Sequence, residues 1–227
     1  RQALPVVAVP ELPEDVANYA QCLADAGYFE SVSFTHDDQQ RATQYVANVE
    51  REALRSSTEN MDEFLQGLGM SMEFGPFAAI DLPRITQLIN KTNQFNPTTR
   101  RRNLDEIAGL AADARNLTLQ FRLVDRFGDN GLVMAMILLQ DPAEPDVLTI
   151  DTWVMSCRVF GRQLEFEAMN VAVDAALQRG LRSFRGEYIP TAKNGIVSEL
   201  FPRVGFTQLR EPAPRNGQTG WLMSLTS

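Results

Sequence analysis

Apolar residues recur along this chain at two spacings, and the change from one to the other marks where helices give way to strands. The front half reads as helical. Pro13, Glu14 and Asp15 suit the first turn of a helix that ends at Gly27. A second helix begins near Thr35 with Asp37 and Asp38 in its first turn. It sets Ala42, Tyr45, Val46, Val49 and Ala53 on one face, and Gln39, Arg41, Gln44, Glu50, Arg51 and Arg55 on a solvated one. A third helix, 58–68, follows the cap cluster Ser56, Ser57 and Thr58. From Met70 to Phe74 apolar and small or polar residues alternate, as in an edge strand. Asp81 caps a helix through Pro83 to Asn90, and Asn103 with Glu106 forms a capping box for another that reaches Ala114. Three closely spaced strands follow, 117–126, 131–140 and 147–156, with turns at Asp129-Asn130-Gly131 and between Asp141-Pro142 and Pro145-Asp146. The segment 131–140 is apolar on both faces, as a central strand is. A helix over 164–179 ends at Gly180, a strand over 183–189 stops at Pro190, and a helix over 192–201 and a strand over 221–225 close the pattern. The elements predict an α/β domain with a mixed, mostly antiparallel sheet flanked by helices and preceded by a helical segment.

Composition narrows the classes. The chain has 227 residues, 44% hydrophobic and 22% charged, which suffices for a sizeable core. A net charge of -8 argues against nucleic acid as a partner. Two distant cysteines, Cys22 and Cys157, make no disulfide framework and point to a reducing, cytoplasmic setting. One histidine, His36, beside them gives no metal site. No apolar run is long enough to span a membrane, and no signal segment opens the chain. The chain starts at Arg1, and Leu4 to Val9 reads as a short buried strand before Pro10. A fragment of a longer protein is the expectation.

The stretch from Val147 to Gly205 carries the candidate chemistry: strand, turn, long helix, strand, and a helix before Gly205-Phe206. The turn Arg158-Val159-Phe160-Gly161-Arg162-Gln163 sits where backbone amides at a helix start can receive a phosphate. It resembles the phosphate loop of the GNAT acyltransferases, Gln/Arg-x-x-Gly-x-Gly/Ala. Arg158 and Gly161 match, whereas Gln163 departs from the family's small residue. Asn194, Gly205 and Phe206 match a second GNAT feature, with Phe201 in place of the family's Tyr. In that family the Asn binds the pantetheine arm and the Tyr protonates the leaving thiolate, which a phenyl ring cannot do. Ordinary helix-on-sheet packing also accounts for these residues.

A longer resemblance runs over nearly the whole chain. The segments VAVPELPEDVANYAQCLADAGYFESVSFTHDD, NVEREALRSS (48–57), INKTNQFNPTTRR (89–101), VDRFGDNGLV (124–133), IDTWVMSCRVFGR (150–162) and GEYIPTAKN (186–194) are similar to the C-terminal half of FkbH-like proteins, of HAD-superfamily subfamily IIIC. Those proteins join a HAD phosphatase-like domain to a GNAT-like domain and load a glyceryl unit as a thioester on an acyl carrier protein for polyketide assembly. The resemblance implies a division into 1–68, a helical tail or linker of a HAD-like domain, and 69–227, a GNAT-like acyltransferase domain. The HAD nucleophile motif Asp-x-Asp-x-Thr is absent, so that domain is expected upstream.

The implied ligand is the phosphopantetheine thioester of a carrier protein, or coenzyme A, with no metal in this chain. Ser156, Arg158, Val159, Gly161, Arg162, Gln163 and Asn194 would hold it. Cys157 would carry the acyl group covalently, or is a small packing residue. Glu187 and Tyr188 would act as base and acid, or form a strand-end pair. The polar loop with Asn93, Gln94, Asn96, Thr99 and Arg100 would floor the acyl site, or is a solvent loop. Lys91, Arg100, Arg101, Arg102 and Lys193 would form a rim that steers an acidic carrier, or are scattered charges. The expected activity is acyl transfer involving a carrier protein. The alternatives are a degenerate module that only docks the carrier, and an N-acetyltransferase using acetyl-coenzyme A.

Overall fold

A computed structural model describes residues 12–25, 36–209 and 217–225. The chain divides into two compact units, Arg1–Asn48 and Val49–Ser227. In the first, Asp15 caps a 3-10 turn, Val16–Asn18, by accepting from the amide of Ala17 at 3.0 Å. Helix α1 is Tyr19–Asp25, so Pro13 to Asp15 precede the helix rather than open it. Its expected end at Gly27 and the strand over 4–9 lie outside the described residues.

Helix α2, His36–Ser57, crosses the boundary between the units. Its solvated and buried faces differ from those the apolar spacing suggests. Val49 is 71% exposed, whereas Arg51 is buried. The reason is a specific partner: the Arg51 guanidinium makes two hydrogen bonds of 2.8 Å to the buried carboxylate of Asp125. Ser57 and Thr58 donate to the carbonyls of Leu54 and Arg55, at the end of α2. Helix α3, Met61–Leu68, is capped instead by Asn60, which accepts from the amide of Glu63, and closed by left-handed Gly69.

A seven-stranded sheet organises the second unit. Its strands are β1 Ser71–Gly75, β2 Leu117–Asp125, β3 Gly128–Asp141, β4 Glu144–Met155, β5 Ser183–Tyr188, β6 Thr207–Gln208 and β7 Thr219–Ser224. Their order is β1-β2-β3-β4-β5-β7-β6, antiparallel except for the parallel pair β4–β5. That pair needs a crossover, and α6, Leu164–Gln178, supplies it. Left-handed Gly180 closes α6, with the amides of Gly180 and Leu181 returning to the carbonyls of Leu177 and Ala176.

The β2–β3 hairpin turns at Arg126-Phe127, not at Asp129-Asn130-Gly131. Asp125 pairs with Gly128 and its carboxylate receives the amide of Phe127, which tightens the turn there. Asn130 spends its side chain on Asp125, 3.0 Å away, and Gly131 with φ 69° lies inside β3.

Helices α4, Leu82–Lys91, and α5, Leu104–Ala112, cover one face of the sheet, burying Ile85, Ile89 and Ile107 against Ala135, Ile137 and Val154. The expected capping box of Asn103 and Glu106 is present on α5. Asp81 precedes α4 without capping it and accepts from the Gln120 side chain instead. Helix α6 covers the other face, over Trp153, Phe184 and Phe201. The continuous helix expected over 192–201 is replaced by a 3-10 turn, Gly195–Val197, and the short α7, Leu200–Arg203. Pro202 explains the break, because its ring clashes with the carbonyl four residues back and bars a helix running through.

Phe201 is fully buried. Its ring stacks on Trp221 at 6.1 Å, meets Phe206 edge-on at 5.1 Å and lies over Gly186 of β5. A Cβ at Gly186 would stand 2.3 Å from Cε1 of Phe201. Gly186→Ala is therefore expected to cost about 3 kcal/mol, through forced repacking of a closed core. Gly109, in α5, has open space where a Cβ would stand, and Gly109→Ala should be stabilising by about 0.5–1 kcal/mol through helix propensity. Urea denaturation of the two variants beside the parent measures both.

Candidate functional site

Strands β4 and β5 part company early. Only Val147–Thr149 pairs with Ser183–Arg185, although β4 runs on to Met155 and β5 to Tyr188. Against β3, the register shifts between Ile150 and Thr152, so Asp151 is an extra residue that bulges from the ladder. Beyond the bulge the two strands frame a gap. Ser156 donates to Val133 of β3, whereas the amide of Met155 faces the gap. Alternation along the strand then turns the N–H and C=O of Trp153 to the gap as well. The Ile189 amide also faces it, from the β5 side.

The segment that follows α4 spans this gap. Phe95 accepts from the Met155 amide at 3.3 Å, and Pro97 accepts from the Ile189 amide at 2.9 Å. The Thr98 hydroxyl donates to the carbonyl of Asp151 at 2.7 Å. Phe95 packs edge-on against Trp153, in the core on the α6 side. Asn194 is fully buried: it donates to the carbonyls of Asn96 and Ile189, both at 3.0 Å, and accepts from the Thr191 amide at 2.7 Å. Its amide group is thus committed to joining the strap to the end of β5.

A charged network lies on the same span. Asp151 accepts from Arg100 at 2.8 Å, from Arg102 at 2.7 Å and from the Thr152 hydroxyl at 2.8 Å. Arg100 reaches on to Glu187 at 2.8 Å, so one guanidinium ties β4 to β5 across the opening. Arg101 donates to the carbonyls of Ile89 and Thr92 and to the side chain of Asn93. The three arginines therefore turn back onto the protein. Asn93 and Gln94 are exposed, and Asn96 is buried with its Oδ1 on the amide of Thr99. That contact holds Thr99 at φ 53°, a conformation that β-branched residues rarely adopt.

The candidate phosphate loop stands at the outer end of β4. Cys157–Val159 is a 3-10 turn, and left-handed residues at Gly161 and Gln163 lead into α6. The first amides of α6 have no acceptor within the helix. Cys157 is exposed, while Val159 is buried in the core. Arg158 donates to the Ser156 hydroxyl at 3.3 Å. Arg162 turns inward and is buried, donating to Asp125 at 2.9 Å. Burial, and then the positive charge of Arg51, push the Arg162 guanidinium below its ordinary pKa, while Asp125 pulls the other way. Burial would raise the carboxyl of Asp125, but hydrogen bonds from Arg51, Asn130 and the Phe127 amide outweigh it and hold it below the usual range.

Glu187 is half-buried on Arg100, and Tyr188, one residue on, faces the α6 side. No protein group hydrogen-bonds the Tyr188 hydroxyl among the described residues, and it is not sealed from solvent. A cleft of about 260 Å³ beside Glu73, Asp81 and Arg122 belongs to the β1 edge, away from this gap. No group of three or more His, Cys, Asp or Glu residues able to hold a metal occurs among the described residues. No described helix is long and apolar enough to cross a membrane.

Sequence reasoning missed Asp125, Asp151 and Thr98. Asp151 had a signal, a lone carboxylate within an apolar strand. Asp125 had none, since a strand-end aspartate beside a turn is commonplace.

No protein-family model matches the chain, and no curated protein does. Solved structures do match in fold. The ribosomal-protein-S18-alanine N-acetyltransferase of Escherichia coli aligns at 13% identity over 69% of this chain and 96% of its own, with a TM-score of 0.51. The GNAT domain of S. lividans PAT aligns at 14% over 68% and 90%, with a TM-score of 0.53. A domain from Methanocaldococcus jannaschii aligns at 11% over 69% and 99%, with a TM-score of 0.52. The chain has a GNAT-like α/β fold, with a mostly antiparallel seven-stranded sheet and a helical segment before it.

Two outcomes follow from this geometry. Thr99→Gly relieves the left-handed strain and is expected to stabilise the fold by about 0.5–1 kcal/mol in denaturant titrations. Asp125 has a folded-state pKa below its unfolded value near 3.9. Its contribution to stability is therefore whole above pH ~5 and is lost as pH falls through its folded pKa. Asp125→Asn should lower stability at pH 7 by about 3 kcal/mol and flatten the acid limb of the stability profile measured from pH 6 to 2.

Proposed function

We propose that this chain transfers an acyl group, a glyceryl or related three-carbon unit, to or from the phosphopantetheine thioester of an acyl carrier protein, as the GNAT-like part of an FkbH-like protein in polyketide or related biosynthesis. The observation that carries the reading is the gap-facing edge of β4 at Trp153, which runs out into the left-handed turn at the start of α6. An extended pantetheine arm offers amides to such an edge, and its phosphate suits the helix start. Coenzyme A presents the same arm and is the alternative donor.

The exposed thiol of Cys157 stands where the arm would leave the gap. In the step assigned to it, the Cys157 thiolate attacks the thioester carbonyl. The carbon–sulfur bond to pantetheine breaks, a new one forms to Cys157, and the proton lost by Cys157 passes to the pantetheine thiolate. Phe201 supplies no proton, so the Tyr188 hydroxyl takes the acid's role and Glu187, on Arg100, that of the base.

A second reading has its own support. The segment 95–98 occupies the gap, and Arg100 ties its sides together. A module that docks the carrier protein without chemistry would need no open slot. Incubating the chain with glyceryl-loaded and free carrier protein, and weighing both by mass spectrometry, separates the readings. Glyceryl transfer that is lost in Cys157→Ala, with an adduct on Cys157 in the parent, is the expected result. Carrier binding with no mass change on either protein leaves the docking module. Acetylation of an amine from acetyl-coenzyme A, with the carrier inert, gives the N-acetyltransferase reading instead.

A further inference from the structure

The turn that leads into α6 does not stand on its own. Arg162, its fifth residue, is anchored to Asp125 at 2.9 Å, and Asp125 is itself gripped by Arg51 through two bonds of 2.8 Å. The side chains of Arg51, Asp125 and Arg162 are 9%, 0% and 7% exposed, so the cluster is closed to water. Asn130 adds a bond to Asp125 at 3.0 Å, and the ring of Phe127 lies 5.9 Å from the Arg51 guanidinium. Arg162 also donates to the carbonyl of Arg158 at 3.4 Å, which closes the turn on itself.

The arrangement joins three parts of the second unit. Arg51 belongs to α2, Asp125 to the end of β2, and Arg162 to the turn after β4. Two buried cations, Arg51 and Arg162, share the carboxylate of Asp125 beneath the turn. A cluster needed only to fasten α2 would be complete with Arg51 and Asp125. The second arginine costs desolvation and repulsion, and what it fixes is the path of residues 158–163. The planar guanidinium suits this task, because its fork fixes direction as well as distance.

We propose that Arg51 is a positioning residue for the turn before α6: acting through Asp125, it sets Arg162 and thereby the backbone that would receive the phosphate of a pantetheine arm. This rests on the functional reading given above. The segment before the sheet is then part of the site's support, and not only a connection.

The test compares the parent with Arg51→Met and Arg51→Lys. Lysine keeps the charge and loses the fork. Amide hydrogen exchange is followed in peptides covering 156–166, with 183–189 of β5 as the internal control, and coenzyme A binding is measured by calorimetry. The expected result is exchange about tenfold faster in 156–166 alone and coenzyme A binding about tenfold weaker in Arg51→Met, with Arg51→Lys failing to restore the exchange pattern. A purely structural role would raise exchange in both peptides together, and that outcome overturns the proposal. So does a parent-like Arg51→Met in both measurements. If Arg51→Met does not fold, Arg51→Lys carries the same comparison. If the parent binds neither coenzyme A nor a carrier protein, the functional reading falls, and the exchange pattern alone decides whether Arg51 orders the turn.

Discussion

After Thr149, β4 and β5 stop exchanging hydrogen bonds, and the backbone groups freed there must be satisfied in some other way. The Asp151 bulge directs this. It turns a carbonyl and a carboxylate out of the ladder, where Thr98, Arg100 and Arg102 meet them. The amides of Met155 and Ile189 then find the carbonyls of Phe95 and Pro97. Pro97 suits this place, because it accepts from one side without presenting an N–H that would itself need an acceptor. The strap between α4 and α5 is therefore the continuation of the sheet by other means, and its polar composition is the consequence.

The two carboxylate clusters do different work, and burial decides which. Arg100 and Glu187 are 37% and 34% exposed, so their bond is screened and contributes little by itself. Such a contact can be made and broken as an opening changes. Asp125 is closed to water and carries four donors, from Arg51, Arg162, Asn130 and the Phe127 amide. Opening that cluster would strand buried charge, at a cost of several kcal/mol. Of the two clusters, the one under the α6 turn is the fixed point.

The sheet was legible in the sequence because its signals are local and repeated. Alternation placed β1 and the helix period with Gly180 placed α6 to within a residue, and the apolar run found β3, which begins three residues earlier than its apolar stretch. The capping box at Asn103 was legible for the same reason, since three residues settle it. Arg51, Asn130 and the hairpin were not, and they fail together. Each depends on Asp125, which lies 74 residues from Arg51. No window along the chain contains both ends of that bond. With the partner unseen, Arg51 counts as a surface charge and Asn130 as a turn former. The site divided along the same line. The turn before α6 was visible as a pattern, but the occupation of the gap by residues 95–98 is a long-range fact about where a loop goes.

Phe201 and Gly186 show how far packing constrains the chemistry on the α6 side. The ring lies so close to the backbone of β5 that only glycine fits beneath it. A hydroxyl added to this ring would enter a core lined by Phe206 and Trp221 and would need a partner there. The position is committed to aromatic packing, and a proton donor has to come from elsewhere. Two residues beyond Gly186 on the same face of β5 stands Tyr188, whose hydroxyl has no protein partner among the described residues and touches solvent. Alternation along the strand sets Gly186 and Tyr188 on the same face of β5, so the residue on the Phe201 side of β5 that carries a hydroxyl is Tyr188, at the strand's end.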